Sequence, residues 1–375
     1  MRTSSSILSL VLGAALAFAA PAASAQEPLK VGFGGALLGS LASYGLSNLY
    51  GIEFALHKAN SSGGVLGRQV ELVKEDDSCD AGLASSAATK LSSQGIKLIL
   101  GHTCSGATHT ALSVYGGNAI VISSSATDIS LTDSGDNPYF FRTTPRDDAQ
   151  SSLQVQLIRA KGFKKVAILH DKGDYGKSLA ELAEAAIKGD PSIGAEVVVV
   201  EGVTSGQVSF DAVVAKIKDA GADAVIWGGY YNDASKLALN MREKEVGAVI
   251  IGADGLYDER FLSIGGAAVE GSFATGQSDI SETDAAKEAM EYHQRNHTEE
   301  TGTYFFYAAA AAQAMLAAVQ AAGSADDLDL IKKHLTEDTV DTVLGPVRFD
   351  AKGDLIGAGF KLYEVRGGKF TEVTL

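Results

Sequence analysis

The sequence predicts an α/β protein built from two parallel sheets, each covered by crossover helices. Two observations carry this. From Lys30 onward, short apolar runs alternate with amphipathic stretches, and the alternation comes as two successive series. The chain has 375 residues, more than one hydrophobic core usually holds, so two lobes are expected. Its 42 glycines against 6 prolines suit the many tight strand–helix turns that such lobes need.

In the first series, Leu29 to Gly34, Gln69 to Lys74, Lys97 to Leu100 and Ala119 to Ile122 read as strands. Helical spacing of apolar residues marks Asn48 to Asn60, Gly82 to Gln94 and Ala107 to Tyr115 between them. The second series has strands at Lys165 to Leu169, Glu196 to Glu201, Ala224 to Trp227 and Val249 to Ile251. Its helices are Asp147 to Lys161, Gly176 to Lys188, Ser209 to Ala220 and Ala234 to Val246. Later come helices at Glu282 to His297, Tyr304 to Ala322 and Leu328 to Thr336, without a matching strand series. Short strands around Gly345 to Phe349 and Phe360 to Val365 end the chain. The alanine-rich Tyr304 to Ala322 is apolar nearly all round, but Gln313 and Gln320 interrupt it, so it reads as a buried helix and not a membrane span.

The N-terminus opens with Arg2, continues with an apolar run from Ile7 to Ala20 and reaches Ala23-Ser24-Ala25. That pattern is a cleavable secretory leader, too short to span a bilayer, so the mature protein is expected to begin near Gln26 and to act outside the cytoplasm. No cysteine follows the cleavage point, so no lipid anchor is expected. A formal charge of −15 argues against nucleic acid and anionic lipid as partners. The two cysteines, Cys79 and Cys104, read first as a disulfide in an exported chain. Such a bridge would stabilise the fold by about 3–4 kcal/mol. Two reduced, buried thiols are the alternative, and the lack of Cys-x-x-Cys disfavours a metal or redox pair.

Several stretches carry a specific likeness. NSSGGVLGRQVELVKEDD at Asn60 to Asp77 follows the pattern N-x-x-GG-(V/I)-x-G-x-x-(V/I)-x-(L/V)-x-x-x-D. With it go Asp77-Ser78-Cys79-Asp80, Gly101-His102-Thr103-Cys104-Ser105, His170-Asp171-Lys172 with Tyr175-Gly176, and Gly228-Gly229-Tyr230-Tyr231. In order, with the paired cysteines, these resemble the branched-chain amino-acid (Leu/Ile/Val) binding proteins of bacterial ABC transporters, over Lys30 to Tyr363. The resemblance implies a type I periplasmic binding protein, a Venus-flytrap of two Rossmann-like lobes joined by three crossover strands. The crossovers would fall near Phe141–Asp147, Thr275–Ser278 and Ile356–Lys361. One lobe would be residues 26–145 with 277–357, the other 146–276 with 358–375, after a signal peptide of 1–25. The late helices would fold back on the first lobe. The cysteines match the disulfide positions of similar family members.

A free amino acid presents an anion, a cation and a side chain. Ser105 follows a strand and precedes a helix, where a hydroxyl and free N–H groups meet the positive helix end. Ser125-Ala126-Thr127 occupies the next such turn, and both lie at carboxyl ends of neighbouring strands, where open parallel sheets bind ligands. The resemblance makes Ser105, Ala126 and Thr127 the carboxylate cradle; alone, each would read as a helix cap or a hydroxyl-stabilised turn. Asp254, after the buried strand Val249 to Ile251, falls where the family carries a Glu that pairs with the ligand's amine. Alone it would read as a turn residue. Tyr175 and Tyr230 are placed by the family against the amino-acid head, with Tyr231 an alternative to Tyr230. Tyr44, in the loop after the first strand, would wall the side-chain pocket together with Tyr304 or Phe305, which core packing explains equally well.

Other motifs carry less. Gly32-Phe33-Gly34-Gly35 has Leu37 where a dinucleotide loop needs its third glycine. His293 and His297 have the spacing of a metal site but no general-base Glu between them, and read as polar residues on a solvated helix face. Ser105 or Ser125 with His102 or His170 lacks the G-x-S-x-G elbow of a hydrolase, so no enzyme is expected. No metal or cofactor is called for. The expected function is capture of an amino acid, branched-chain aliphatic by resemblance, by a periplasmic monomer that delivers it to an inner-membrane ABC permease. Another amino acid or amide, or service to a signalling receptor, are the alternatives.

Overall fold

The computed structural model describes residues 26–375, so the expected leader lies outside the described residues. The first sheet gathers β1 (Leu29–Gly35), β2 (Val70–Asp76), β3 (Leu98–Gly101), β4 (Ile120–Ser123) and β5 (Phe140–Arg142). All neighbours are parallel, in the order β2-β1-β3-β4-β5. The intervening helices are α1 (Ala42–Ser61), α2 (Ala81–Ser93), α3 (Ser105–Tyr115) and the single turn α4 (Ser130–Asp133).

After Arg142 the chain passes to the second half with α5 (Asp147–Lys161), β6 (Lys165–His170), α6 (Asp174–Gly189), β7 (Glu196–Gly202), α7 (Asp211–Ala220), β8 (Ala224–Gly228), α8 (Tyr231–Glu243), β9 (Val249–Gly252), α9 (Glu259–Gly265) and β10 (Phe273–Gly276). It then returns for α10 (Asp284–Asn296), α11 (Phe305–Ala322), α12 (Leu328–Glu337) and the hairpin β11 (Val340–Thr342) and β12 (Gly345–Val347). A last passage adds β13 (Lys361–Arg366) and β14 (Lys369–Val373), so the second sheet runs β14-β13-β10-β9-β8-β6-β7. Strands β6 to β10 are parallel, and β13 and β14 join antiparallel at one edge.

This is the predicted α/β architecture of two parallel-sheet lobes with three passages of the chain between them. The late helices do pack on the first lobe: α1 and α11 share a core with Val31, Phe33, Leu98, Leu100, Ile120 and Ile122. Helix α11 is buried along most of its length, as its apolar composition requires. Gly51 lets α1 and α11 approach closely, since a Cβ there would overlap the Phe305 carbonyl oxygen.

Three local expectations change. Helix α1 begins at Ala42, not Asn48, because its first two turns bury Tyr44, Ser47 and Asn48 against the cleft and so lack apolar spacing. Tyr44 is therefore a helical residue and not a loop residue. Strands β5, β10 and β14 have 3, 4 and 5 residues, too short to show a period, and were absent from the sequence reading. The histidines at the end of α10 do not stand on a solvated face: His293 is 3% exposed, packed between Tyr50 and Phe305, with Nε2 2.6 Å from the Glu299 carbonyl oxygen, and His297, just past the helix, is half-buried against Tyr50.

The disulfide joins Cys79 to Cys104, with Cα atoms 5.4 Å apart. It ties the segment after β2 to the residue that precedes α3.

Candidate functional site

Asp254 stands in a 3₁₀ turn directly after β9, 1% exposed. Its Oδ1 accepts from Tyr175 Oη at 2.7 Å and Gln150 Nε2 at 2.9 Å, and its Oδ2 accepts from Tyr304 Oη at 2.9 Å. Burial raises its pKa above the usual carboxylate value, although these donors pull the other way. Gln150 is fixed at both ends: Oε1 accepts from Asp254 N at 2.8 Å and from Thr275 Oγ1, while Nε2 also donates to Asp147 Oδ1 at 3.0 Å.

Asp147, the first residue of α5, is fully buried, and its Oδ2 has no hydrogen-bond partner. Burial, then the charge of Asp254, push its pKa well above the ordinary value. Two carboxylates thus share one amide, and among the described residues no lysine or arginine forms an ion pair with either, although Arg142, itself paired with Asp354, lowers the Asp147 pKa through space. Such an arrangement is costly unless a cation or a proton compensates it.

The residues expected to cradle a carboxylate lie at the ends of β3 and β4 and at the start of α3. Ser105 is the first residue of α3, 2% exposed, and its Oγ accepts from Asp128 N at 3.3 Å. In the segment after β4, Ala126 and Thr127 are both fully buried, and the Thr127 hydroxyl faces the Asp147 carboxyl, lowering its pKa, without a hydrogen bond of good geometry. The turn meets α5 directly, since Asp147 N donates to the Thr127 carbonyl at 3.0 Å. Ser125 differs from its neighbours. Its hydroxyl donates to the Thr103 carbonyl at 2.7 Å and accepts from Asn48 Nδ2 at 3.0 Å, so its proton is already committed.

Tyrosines pack between the two groups. Tyr44 packs edge-on against Tyr304 and Tyr231, both with centroids at 5.5 Å, and its hydroxyl donates to the Gly255 carbonyl at 2.8 Å. Tyr175 lies in the first turn of α6 and stacks on Tyr230 at 5.1 Å. Tyr230, just before α8, lies 6.0 Å from Tyr44 and stacks on Tyr175, while Tyr231 also packs on Tyr44 but ties its hydroxyl to the Ser40 carbonyl at 2.6 Å. Tyr304 belongs to the site through Asp254, while Phe305 packs in the core with Tyr50 and Phe54.

Gln150 and Asp147 are absent from the sequence reading. Their signal was a polar stripe at helical spacing, Asp147, Gln150 and Gln154, all buried on one face of α5. His102 contacts neither Ser105 nor Ser125 by its ring; it is held instead by Asp77 and Tyr115.

The family model for periplasmic binding proteins matches residues 28–369. The chain is 33% identical over 352 residues to Leu/Ile/Val-binding protein homolog 2 of Brucella abortus, covering 91% of each. It is 31% identical over 340 residues to the Leu/Ile/Val-binding protein of Escherichia coli K12, covering 90% of this chain and 91% of that one. Among solved structures, the branched-chain amino-acid substrate-binding protein LivJ of Streptococcus pneumoniae, in complex with isoleucine, superposes with TM-score 0.80 at 26% identity, over 92% of this chain and 99% of that one. A solute-binding protein of R. palustris in complex with benzoate shares the fold at TM-score 0.81 and 20% identity, over 92% and 95%.

Proposed function

Since the chain belongs to the periplasmic binding protein family, we propose that it captures a free amino acid, branched-chain aliphatic by its relatives' names, in the periplasm and delivers it to an ABC permease. The lobes are residues 26–145 with 277–357 and residues 146–276 with 358–375. The observation that carries the reading is the pair of buried carboxylates, Asp254 and Asp147, without a basic partner and within one amide of each other. An α-ammonium supplies the missing charge, and charge-assisted bonds in a dry cleft far exceed an exposed ion pair. A ligand without the amine would leave both carboxylates uncompensated, which is the basis of selectivity.

The ligand's carboxylate meets Ser105, Ala126 and Thr127, where the Thr127 hydroxyl, only loosely held by Asp147, and the start of α3 offer donors to an anion. Tyr175, Tyr230 and Tyr44 close over the head and side chain. No bond is made or broken. Calorimetric titration with leucine, isoleucine and valine tests the reading: saturable one-to-one binding of at least one supports it. Binding of benzoate-like acids with none of the twenty amino acids would replace it by an acid-binding function.

A further inference from the structure

We infer that a buried relay of Asp77, His102 and Tyr115 positions the anion-binding turn and thereby sets carboxylate affinity without touching the ligand. The effect on ligand rests on the role proposed above for Ser105, Ala126 and Thr127; the effect on the turn does not.

His102 Nδ1 lies 2.6 Å from Asp77 Oδ2, and His102 Nε2 lies 3.0 Å from Tyr115 Oη. Asp77 and His102 are fully buried and Tyr115 is 4% exposed. Among the described residues the Tyr115 hydroxyl has no other partner, so its proton goes to Nε2, and Nδ1–H donates to Asp77. That single tautomer satisfies every member. The order carboxylate, imidazole, hydroxyl is that of a nucleophile relay, but here the hydroxyl is phenolic and sealed from any substrate. A positioning role remains.

Both halves of the anion site hang from this relay. On one side, Asp77 Oδ1 accepts from Cys79 N at 2.8 Å, and Cys79 is bonded to Cys104, the residue that caps α3 beside Ser105. On the other, the His102 carbonyl accepts from Ser123 Oγ at 2.7 Å and from Thr108 Oγ1 at 3.2 Å. Ser123 Oγ in turn accepts from Ala126 N at 3.0 Å, fixing the turn itself. The imidazole has no freedom to drift, because a Cβ on Gly34 would already overlap its ring. Because the ring is held by Asp77 and Tyr115, the His102 backbone that carries the carbonyl anchoring Ser123 is held with it, and Asp77 fixes the Cys79 amide beside the disulfide.

Tyr115→Phe removes one hydroxyl and keeps the ring, and His102→Gln provides a second variant. Hydrogen exchange should show peptides covering residues 124–128 exchanging about tenfold faster in Tyr115→Phe, with residues 165–170 of the second sheet unchanged. Equal exchange at 124–128, or a uniform increase over the whole chain, overturns the inference. In titrations with L-leucine, Kd should rise about fivefold for Tyr115→Phe. Combined with Thr127→Ala, the double variant should lose less affinity than the two single losses together, because Tyr115→Phe still acts through Ser105 and Ala126, whereas fully additive losses would overturn the coupling. If the wild-type protein binds no leucine, isoleucine or valine, the ligand reading fails and the exchange result alone decides the relay.

Discussion

At the scale of single residues, the account concerns charge. Asp254, 1% exposed, is ringed by three neutral donors, and its neighbour Asp147 keeps one oxygen unpartnered. Replacing Asp254 by Asn preserves shape and removes the ammonium partner, so amino-acid affinity should fall at least about 100-fold, measured by calorimetry, with the fold retained. The pH dependence follows from the direction of the shifts. Burial raises the carboxyl pKa of Asp254 and of Asp147, so below the ordinary carboxylate range both states are protonated alike. As pH climbs from that range through the raised values, the unfolded chain ionises first and the ligand-free fold loses stability. An incoming ammonium lowers both values, so binding expels protons and tightens with rising pH across that window. Calorimetry in two buffers of different ionisation enthalpy should show proton release, reduced in Asp147→Asn. Equal heats in both buffers would contradict it.

At the scale of elements, the strand–helix alternation was readable because the core strands β1, β3, β4, β6, β8 and β9 are short, buried apolar runs between helical stretches. What escaped the reading were the pieces that serve the cleft. The first turns of α1 carry Tyr44, Ser47 and Asn48 inward, and α5 turns Asp147, Gln150 and Gln154 inward, and polar residues on a buried face give no apolar spacing to read. Ser105, Thr127, Tyr175 and Asp254 were placed by resemblance, since each alone is an ordinary cap or turn residue. Tyr230 could not be separated from Tyr231 by pattern, because adjacent residues at a helix start differ only in the rotation of the chain. Two predictions belong here. Gly51→Ala forces α1 from α11 at the Phe305 carbonyl and should cost about 1–3 kcal/mol in urea unfolding. Replacing Cys79 and Cys104 by serine should cost about 3 kcal/mol, read the same way.

At the scale of the whole molecule, the two lobes touch through a few directed bonds. Tyr44 reaches the Gly255 carbonyl, Tyr231 the Ser40 carbonyl, Tyr304 reaches Asp254, and Thr303 Oγ1 meets the Tyr257 carbonyl at 2.5 Å. All lie beside the proposed pocket, so a ligand seated there contributes to the same closure. Driving such a hinge from mostly open to mostly closed takes about 5.5 kcal/mol of preference for the closed form. Tyr231→Phe removes one cross-lobe bond and should raise Kd a few-fold, mainly through faster dissociation seen by stopped flow. Three passages of chain join the two sheets' lobes, and the proposed function has them act as a hinge.

The central claim is that one zwitterion spans the cleft, anion on Ser105, Ala126 and Thr127, cation on Asp254 and Asp147. A crystal structure of the protein with L-leucine, or with whichever amino acid titrates most tightly, tests it most directly. The account predicts the ammonium within hydrogen-bond distance of Asp254 and the carboxylate on the Thr127 hydroxyl. An amino acid bound elsewhere, or one lying the other way round between the lobes, would contradict it.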